Sequence, residues 1–217
     1  MDHQNIKKAV EEVLASSKER NFVESIDIAV GLKDINLKDP SKRFRVEITL
    51  PHPPTKVVKI AVVGDEAMVS KAKEAGIPIV LNQNDVEQLG KDPKEARNFA
   101  KSVDYVLAIP PLMGVVGKNL GRFLGPVGKT PSVLPPNADI VSLAERYQRT
   151  CKLRLRQNPV VHARVASRDM AVDAIVDNVE LVIRELENKL EQGEKNVKNF
   201  FLKTTMGKPV KVGGGSS

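Results

Sequence analysis

The chain of 217 residues is 41% hydrophobic and 28% charged, the proportions of a folded soluble protein, and it is long enough for two compact domains. No apolar run approaches the ~20 residues of a membrane-spanning helix, and a single cysteine, Cys151, excludes an internal disulfide framework and a four-cysteine zinc site. The 34 basic against 27 acidic residues give a net charge of +7 and point to a polyanionic partner. With no Trp, six Phe and two Tyr, stacking of single-stranded bases on rows of rings is disfavoured, and a structured RNA with a readable backbone fits better. The N-terminus lacks the continuous apolar core of a secretory signal, so the expected location is a reducing cytoplasm.

In chain order, Ile6, Ala9, Val10, Val13 and Leu14 recur at helical spacing and predict an N-terminal helix. Ile26, Ile28, Val30 and Leu32 alternate with Ser25, Asp27, Ala29 and Gly31, as a half-buried strand does; Phe44, Val46, Ile48 and Leu50 repeat the pattern. Pro51, Pro53 and Pro54 can continue neither element and mark a stiff linker and a domain boundary. Beyond it, residues 56–64 read as a strand buried on both faces, followed by a helix that Asp65 can cap and Gly76 ends. A strand at 77–81, a helix at about 93–101 and a strand at 104–109 complete an alternation that argues for a doubly wound parallel domain. Strands return at 152–156 and 161–165. Val172, Ile175, Val176, Val179, Val182, Ile183, Leu186 and Leu190 then form one helical stripe, and short strands follow at 199–205 and 208–212.

Neither flank has enough elements to close a core alone. The expected architecture is therefore α/β in two domains: a discontinuous α+β domain from both termini (1–56 plus 152–212) and an inserted Rossmann-like parallel α/β domain (57–151), with 213–217 a flexible tail. Paired hinges are expected near 53–56 and 151–152. The split domain holds 22 basic and 17 acidic residues, +5 of the total, and is the favoured polyanion binder.

Chemistry-bearing motifs are few. Gly125-Pro126-Val127-Gly128-Lys129-Thr130 ends like a phosphate loop, but Phe123 stands where the motif needs glycine, and Pro126 lacks an N–H. It reads instead as a Gly/Pro-rich surface loop whose basic residues Lys118, Arg122 and Lys129 could meet an RNA backbone. No dinucleotide fingerprint follows the strand at 56–64. His3, His52 and His162 lie too far apart for a metal motif, and Cys151 has no neighbouring His; no catalytic residue, metal or cofactor is expected. Lys203-Thr204-Thr205-Met206-Gly207-Lys208 reads either as a plain hairpin turn or as a tip offering hydroxyls, a thioether and bare backbone to ribose and phosphate.

Five short motifs in order span nearly the whole chain, from about Asn5 to Val212: Arg20-Asn21-Phe22, Leu50-Pro51-His52, Leu124-Gly125-Pro126 with Gly128-Lys129 and Pro131, Ile175-Val176-Asp177-Asn178, and Thr205-Met206-Gly207. Together they resemble the large-subunit ribosomal protein of the lateral stalk, the L-one family in its archaeal or eukaryotic-like form. The resemblance implies a non-enzymatic two-domain ribonucleoprotein component. Its split domain would bind large-subunit rRNA at a mobile stalk near the tRNA exit site, reach E-site tRNA through the stalk, and repress translation of its own mRNA. Off the ribosome it would be a monomer. The implied RNA-binding residues are Phe22, Thr205, Met206 and Gly207, with Glu24 and Thr204 beside them; Lys118, Arg122 and Lys129 are a secondary surface chosen from charge. Two positions depart from the family pattern. Val127 stands where relatives carry a base, and Lys208 intervenes before Pro209. The competing classes are an α/β enzyme or a scaffold with a small phosphorylated ligand in the middle domain.

Overall fold

A computed structural model describes residues 2–135 and 139–213. The chain forms two compact units, residues 1–56 with 149–217 and residues 57–148. The tail expected at 213–217 lies, apart from Gly213, outside the described residues.

In the split unit, α1 (His3–Ser16) buries Ile6, Ala9, Val10 and Val13, the apolar stripe of its sequence. β1 (Ser25–Leu32) buries every second residue, as alternation requires. β2 (Phe44–Thr49) pairs antiparallel with β7 (Thr150–Leu155). β8 (Val160–Ser167), α7 (Val172–Lys189), β9 (Val197–Thr204) and the short β10 (Val210–Lys211) complete the unit. The main sheet has the order β10-β9-β1-β8 and is antiparallel throughout, so both termini of the chain supply neighbouring strands. Ile28 lies opposite Ala163 on one side and Leu202 on the other. One core joins α1, α7 and the inward faces of both sheets, and Ile175, Val176, Val179 and Val182 are fully buried in it.

The inserted unit alternates strand and helix: β3 (Ile60–Val63), α2 (Glu66–Glu74), β4 (Ile79–Leu81), α3 (Gln83–Lys91), α4 (Pro93–Ser102), β5 (Tyr105–Ala108), α5 (Pro110–Val127), β6 (Ser132–Val133) and α6 (Ile140–Gln148). Its sheet is parallel, ordered β4-β3-β5-β6. All four residues of β3 and of β5 are buried, which explains their unbroken apolar runs. Asp65 caps α2 by accepting the Met68 N–H at 2.9 Å, and Gly76 takes φ +74° just past the helix end.

Two expectations are corrected. Thr150 and Cys151 pair with Thr49 and Ile48, so they belong to the split unit and not to the insert. With Arg149 on the same side, the split unit carries +6 and the insert +1. Second, the supposed loop around Gly125 is helical as far as Val127, and Gly128 at φ +76° is its cap. Leu112, Val116, Leu120 and Leu124, four apart, bury one face and outweigh the low helix propensity of the glycines.

The proline segment leading to the expected hinge is bonded to the split unit. Asn178, fully buried on α7, accepts the His52 N–H at 3.0 Å and donates to the His52 and Val165 carbonyls, each at 2.9 Å. The Thr55 N–H reaches Ser167 Oγ, and the Thr55 hydroxyl reaches Asp169. The prolines therefore lie along the split unit as a strap.

Candidate nucleic-acid interface

The start of β1, the end of β9 and the segments at 17–24 and 168–170 meet at one edge of the split unit. Thr205 doubles the last sheet link. Its N–H donates to the Ser25 carbonyl at 3.0 Å, its hydroxyl accepts the Ser25 N–H at 3.1 Å, and that hydroxyl lies 3.3 Å from the same carbonyl. The Gly207 N–H closes the turn on the Thr204 carbonyl at 3.2 Å. The Met206 N–H donates to Glu24 Oε1 at 2.9 Å. Through Glu24, two residues beyond Phe22, the structure brings the two distant sequence motifs together.

Beneath this turn sit two polar groups with unused capacity. Glu24 is 1% exposed, and its Oε2 makes no hydrogen bond among the described residues; Thr204 is fully buried and its Oγ1 has none either. Both atoms are shut beneath the turn, where an unmade hydrogen bond is costly. Arg20 Nε stands 3.7 Å from Glu24 Oε1 and supplies the nearby positive charge. Above them the surface is apolar and open: Phe22 is 54%, Val23 58% and Met206 62% exposed. Beside Phe22 a shallow groove of about 570 Å³ is lined by Glu19, Arg20, Asn21, Val23, Arg168 and Asp169. Arg168 is fixed there, its N–H on the Glu24 carbonyl and its guanidinium on the Ser17 and Lys18 carbonyls.

Gly207 is required here for space. A Cβ on it would stand 2.3 Å from Thr204 Oγ1. The two threonines differ from the expected display of free hydroxyls: that of Thr205 is occupied by the clasp, and that of Thr204 is covered. Lys208, the departure from the family pattern, follows an intact turn.

The secondary cations lie in the inserted unit, on or just beyond α5. Lys118 is exposed. Arg122 lies over the Phe123 ring, 4.6 Å from its centroid, with Nη2 3.4 Å from the Gly90 carbonyl. Lys129 is drawn inward, donating to the Ala100 carbonyl at 2.9 Å, and so caps α4. Two of the three bases thus serve packing.

Sequence reasoning missed Val23, Arg168, Asp169 and the Asn178 clasp. Val23 adjoins Phe22 and could have been read as apolar surface, whereas nothing local in the sequence marks Arg168. Cys151 is 4% exposed, and burial pushes its thiol up to about 12, which removes it as a nucleophile. Among the described residues no group of three or more His, Cys, Asp or Glu side chains could hold a metal ion, and no helix is long and apolar enough to cross a membrane. At the carboxyl ends of β3 and β5, where a doubly wound sheet binds phosphates, the Asp65 carboxylate takes an N–H of α2, and α5 opens on Pro110 and Pro111, which have none.

Residues 5–208 match the Ribosomal protein L1p/L10e family. The chain is 42% identical to large ribosomal subunit protein uL1 of Thermococcus kodakarensis over 212 residues, covering 97% of this chain and 98% of the relative. Against the uL1 protein of Pyrococcus horikoshii it is 42% identical, covering 98% and 97%, and against that of Methanobrevibacter smithii 40%, covering 96% and 99%. A match of this length, with the Phe22 and Met206 motifs converging on one sheet end, means that the chain belongs to the ribosomal protein L1p/L10e family.

Proposed function

We propose that this protein is a structural constituent of the large ribosomal subunit in the cytoplasm, and that its split unit binds large-subunit rRNA at the mobile lateral stalk, near the tRNA exit site. It also represses translation of its own mRNA, through an RNA element that presents the same shape to the same surface. It meets E-site tRNA as part of the stalk, and it is a monomer off the ribosome. The role is binding, without catalysis.

The observation that carries this reading is the preformed tip: Phe22, Val23 and Met206 are exposed, and the Met206 N–H on Glu24 ties the turn to the Phe22 segment. Glu24 and Thr204 lie beneath that surface, and Glu24 holds the turn in place through the Met206 N–H. The apolar trio covers a sugar or base face, and the +6 charge of the split unit supplies the salt-sensitive part. The turn is already hydrogen-bonded in the free protein, which lowers the ordering entropy that opposes association. Lys118 provides a minor contact from the inserted unit, with Arg122 and Lys129 contributing less because their side chains are already engaged.

Filter binding to a stalk rRNA fragment tests this. Met206→Ala and Phe22→Ala should each weaken binding by about 1–3 kcal/mol. The slope of log K against log salt, about −0.7 to −0.9 per neutralised phosphate, should stay the same for both variants. Unchanged affinity in both would reject the site. A loss of repression on a reporter carrying the protein's own leader, in the same variants, tests the regulatory role.

A further inference from the structure

Four methionines are described, and their surroundings differ sharply. Met68 is 5% exposed within the core of the inserted unit. Met113 and Met170 are half-buried, and the sulfur of Met170 accepts the Ser167 N–H at 3.3 Å. Met206 is 62% exposed, so its thioether is open to small reagents. The turn beneath it is held by groups other than that side chain: the Met206 N–H on Glu24, the Thr205 N–H on Ser25 and the Gly207 N–H on Thr204. The sulfur can change chemically while the backbone stays in place.

We propose that Met206 is an oxidative modification site, and that a peroxide-class oxidant switches off RNA binding there. This rests on the reading that Met206 touches RNA. A sulfur lone pair attacks one oxygen of hydrogen peroxide. The S–O bond forms as the O–O bond breaks, and the proton on the transferred oxygen passes to the departing hydroxide. Sulfur loses two electrons to give the sulfoxide, and the peroxide is reduced to one water. An apolar, flexible contact becomes a polar, chiral one that no longer covers a sugar or base face. Bound RNA shields the sulfur, so the free protein is sensitive and the assembled protein is protected.

The test treats the full chain with hydrogen peroxide, alone and saturated with a stalk rRNA fragment, and follows added oxygen peptide by peptide by mass spectrometry. Met206 should gain one oxygen ahead of Met113 and Met170 in the free protein and be protected in the complex. Affinity should fall about thirtyfold, the middle of the range for one lost site contact. Far-UV circular dichroism should not change, and methionine sulfoxide reductase should restore binding. Met206→Leu, whatever its starting affinity, should keep that affinity through peroxide treatment, whereas Met113→Leu should remain as sensitive as the parent. Unchanged RNA affinity of protein carrying Met206 sulfoxide overturns the proposal, as does an equal loss in Met206→Leu. If untreated Met206→Ala binds as tightly as the parent, the RNA reading of the turn falls, and the oxidation proposal falls with it. A weakened Met206→Ala beside peroxide-insensitive binding removes the oxidation proposal alone.

Discussion

Gly207 and Thr204 set the shape of the turn by excluding volume from each other. The 2.3 Å approach of a Cβ at position 207 to the Thr204 hydroxyl oxygen cannot be relieved by rotation alone, because Thr204 is fully buried. Gly207→Ala should therefore destabilise the protein by about 1–3 kcal/mol, as overpacking does, and Thr204→Ala should recover much of that loss by removing the obstructing atom. Thermal melts of the two single variants and the double variant measure the coupling, and strict additivity would contradict it. Nearby on the open face of β1, Asp27 lies across from Lys203 and Arg164. Burial holds its carboxyl above the ordinary range, only partly offset by Lys203, Arg164 and His162. A raised folded value means that the folded state binds the proton more tightly than the unfolded chain does. Stability is then greatest below the unfolded carboxylate range and falls as pH rises through the folded value. Asp27→Asn should raise the melting temperature at pH 7, and the gain should vanish in acid. A gain that is the same at every pH would contradict this.

At the scale of elements, periodicity was a sufficient guide wherever one face alone was buried. The stripe of α7 and the alternation of β1 appear in the structure as read, because the split unit has one core and one solvent side. The inserted unit was less legible. The 56–64 run shortens to the four residues of β3, because the N–H of Val58 bonds the Gln148 side chain and that of Lys59 the Asp104 carboxylate. The helices α3 and α6 carry only one buried apolar residue each, too few to show a period. The helix α5 was hidden by its composition. Gly114, Gly117, Gly121 and Gly125 occupy its outer side, and a Cβ added at any of them meets nothing within 4 Å. Propensity was overruled there by four leucine and valine anchors that a count of glycines does not reveal. It follows that Gly117→Ala and Gly121→Ala should each stabilise the isolated protein by about 0.5–1 kcal/mol. Urea denaturation measures the gain, and a loss of stability would show that backbone freedom at these positions serves the fold itself. The candidate site can be named residue by residue from motifs, but its internal hydrogen bonding cannot. Phe22, Glu24 and Met206 were placed by motif, yet that the Thr205 hydroxyl is spent on Ser25 depends on a contact between residues 180 apart.

At the scale of the whole molecule, two cores with no shared residue lie in one chain, each closed by its own helices and sheets. Such cores should unfold as separate cooperative units. The buried Asn178 fixes the strap to α7 with two hydrogen bonds to His52 and reaches β8 with a third to the Val165 carbonyl, and its removal leaves the His52 N–H and two carbonyls without that partner. Asn178→Ala should cost about 2–4 kcal/mol, and the whole loss should fall on the split unit. Leu120→Ala empties a fully buried position on α5 and should cost about 3 kcal/mol in the inserted unit only. In scanning calorimetry each variant should lower a different transition by roughly 10–20 °C and leave the other in place. One transition shifted equally by both variants would mean that the strap transmits stability from one core to the other. The fastening of residues 51–55 to the split unit gives the physical reason to expect otherwise. The strap's hydrogen bonds run to Asn178, Ser167 and Asp169, all within the unit that Asn178→Ala disturbs, so losing them loosens that unit and leaves the packing around Leu120 intact.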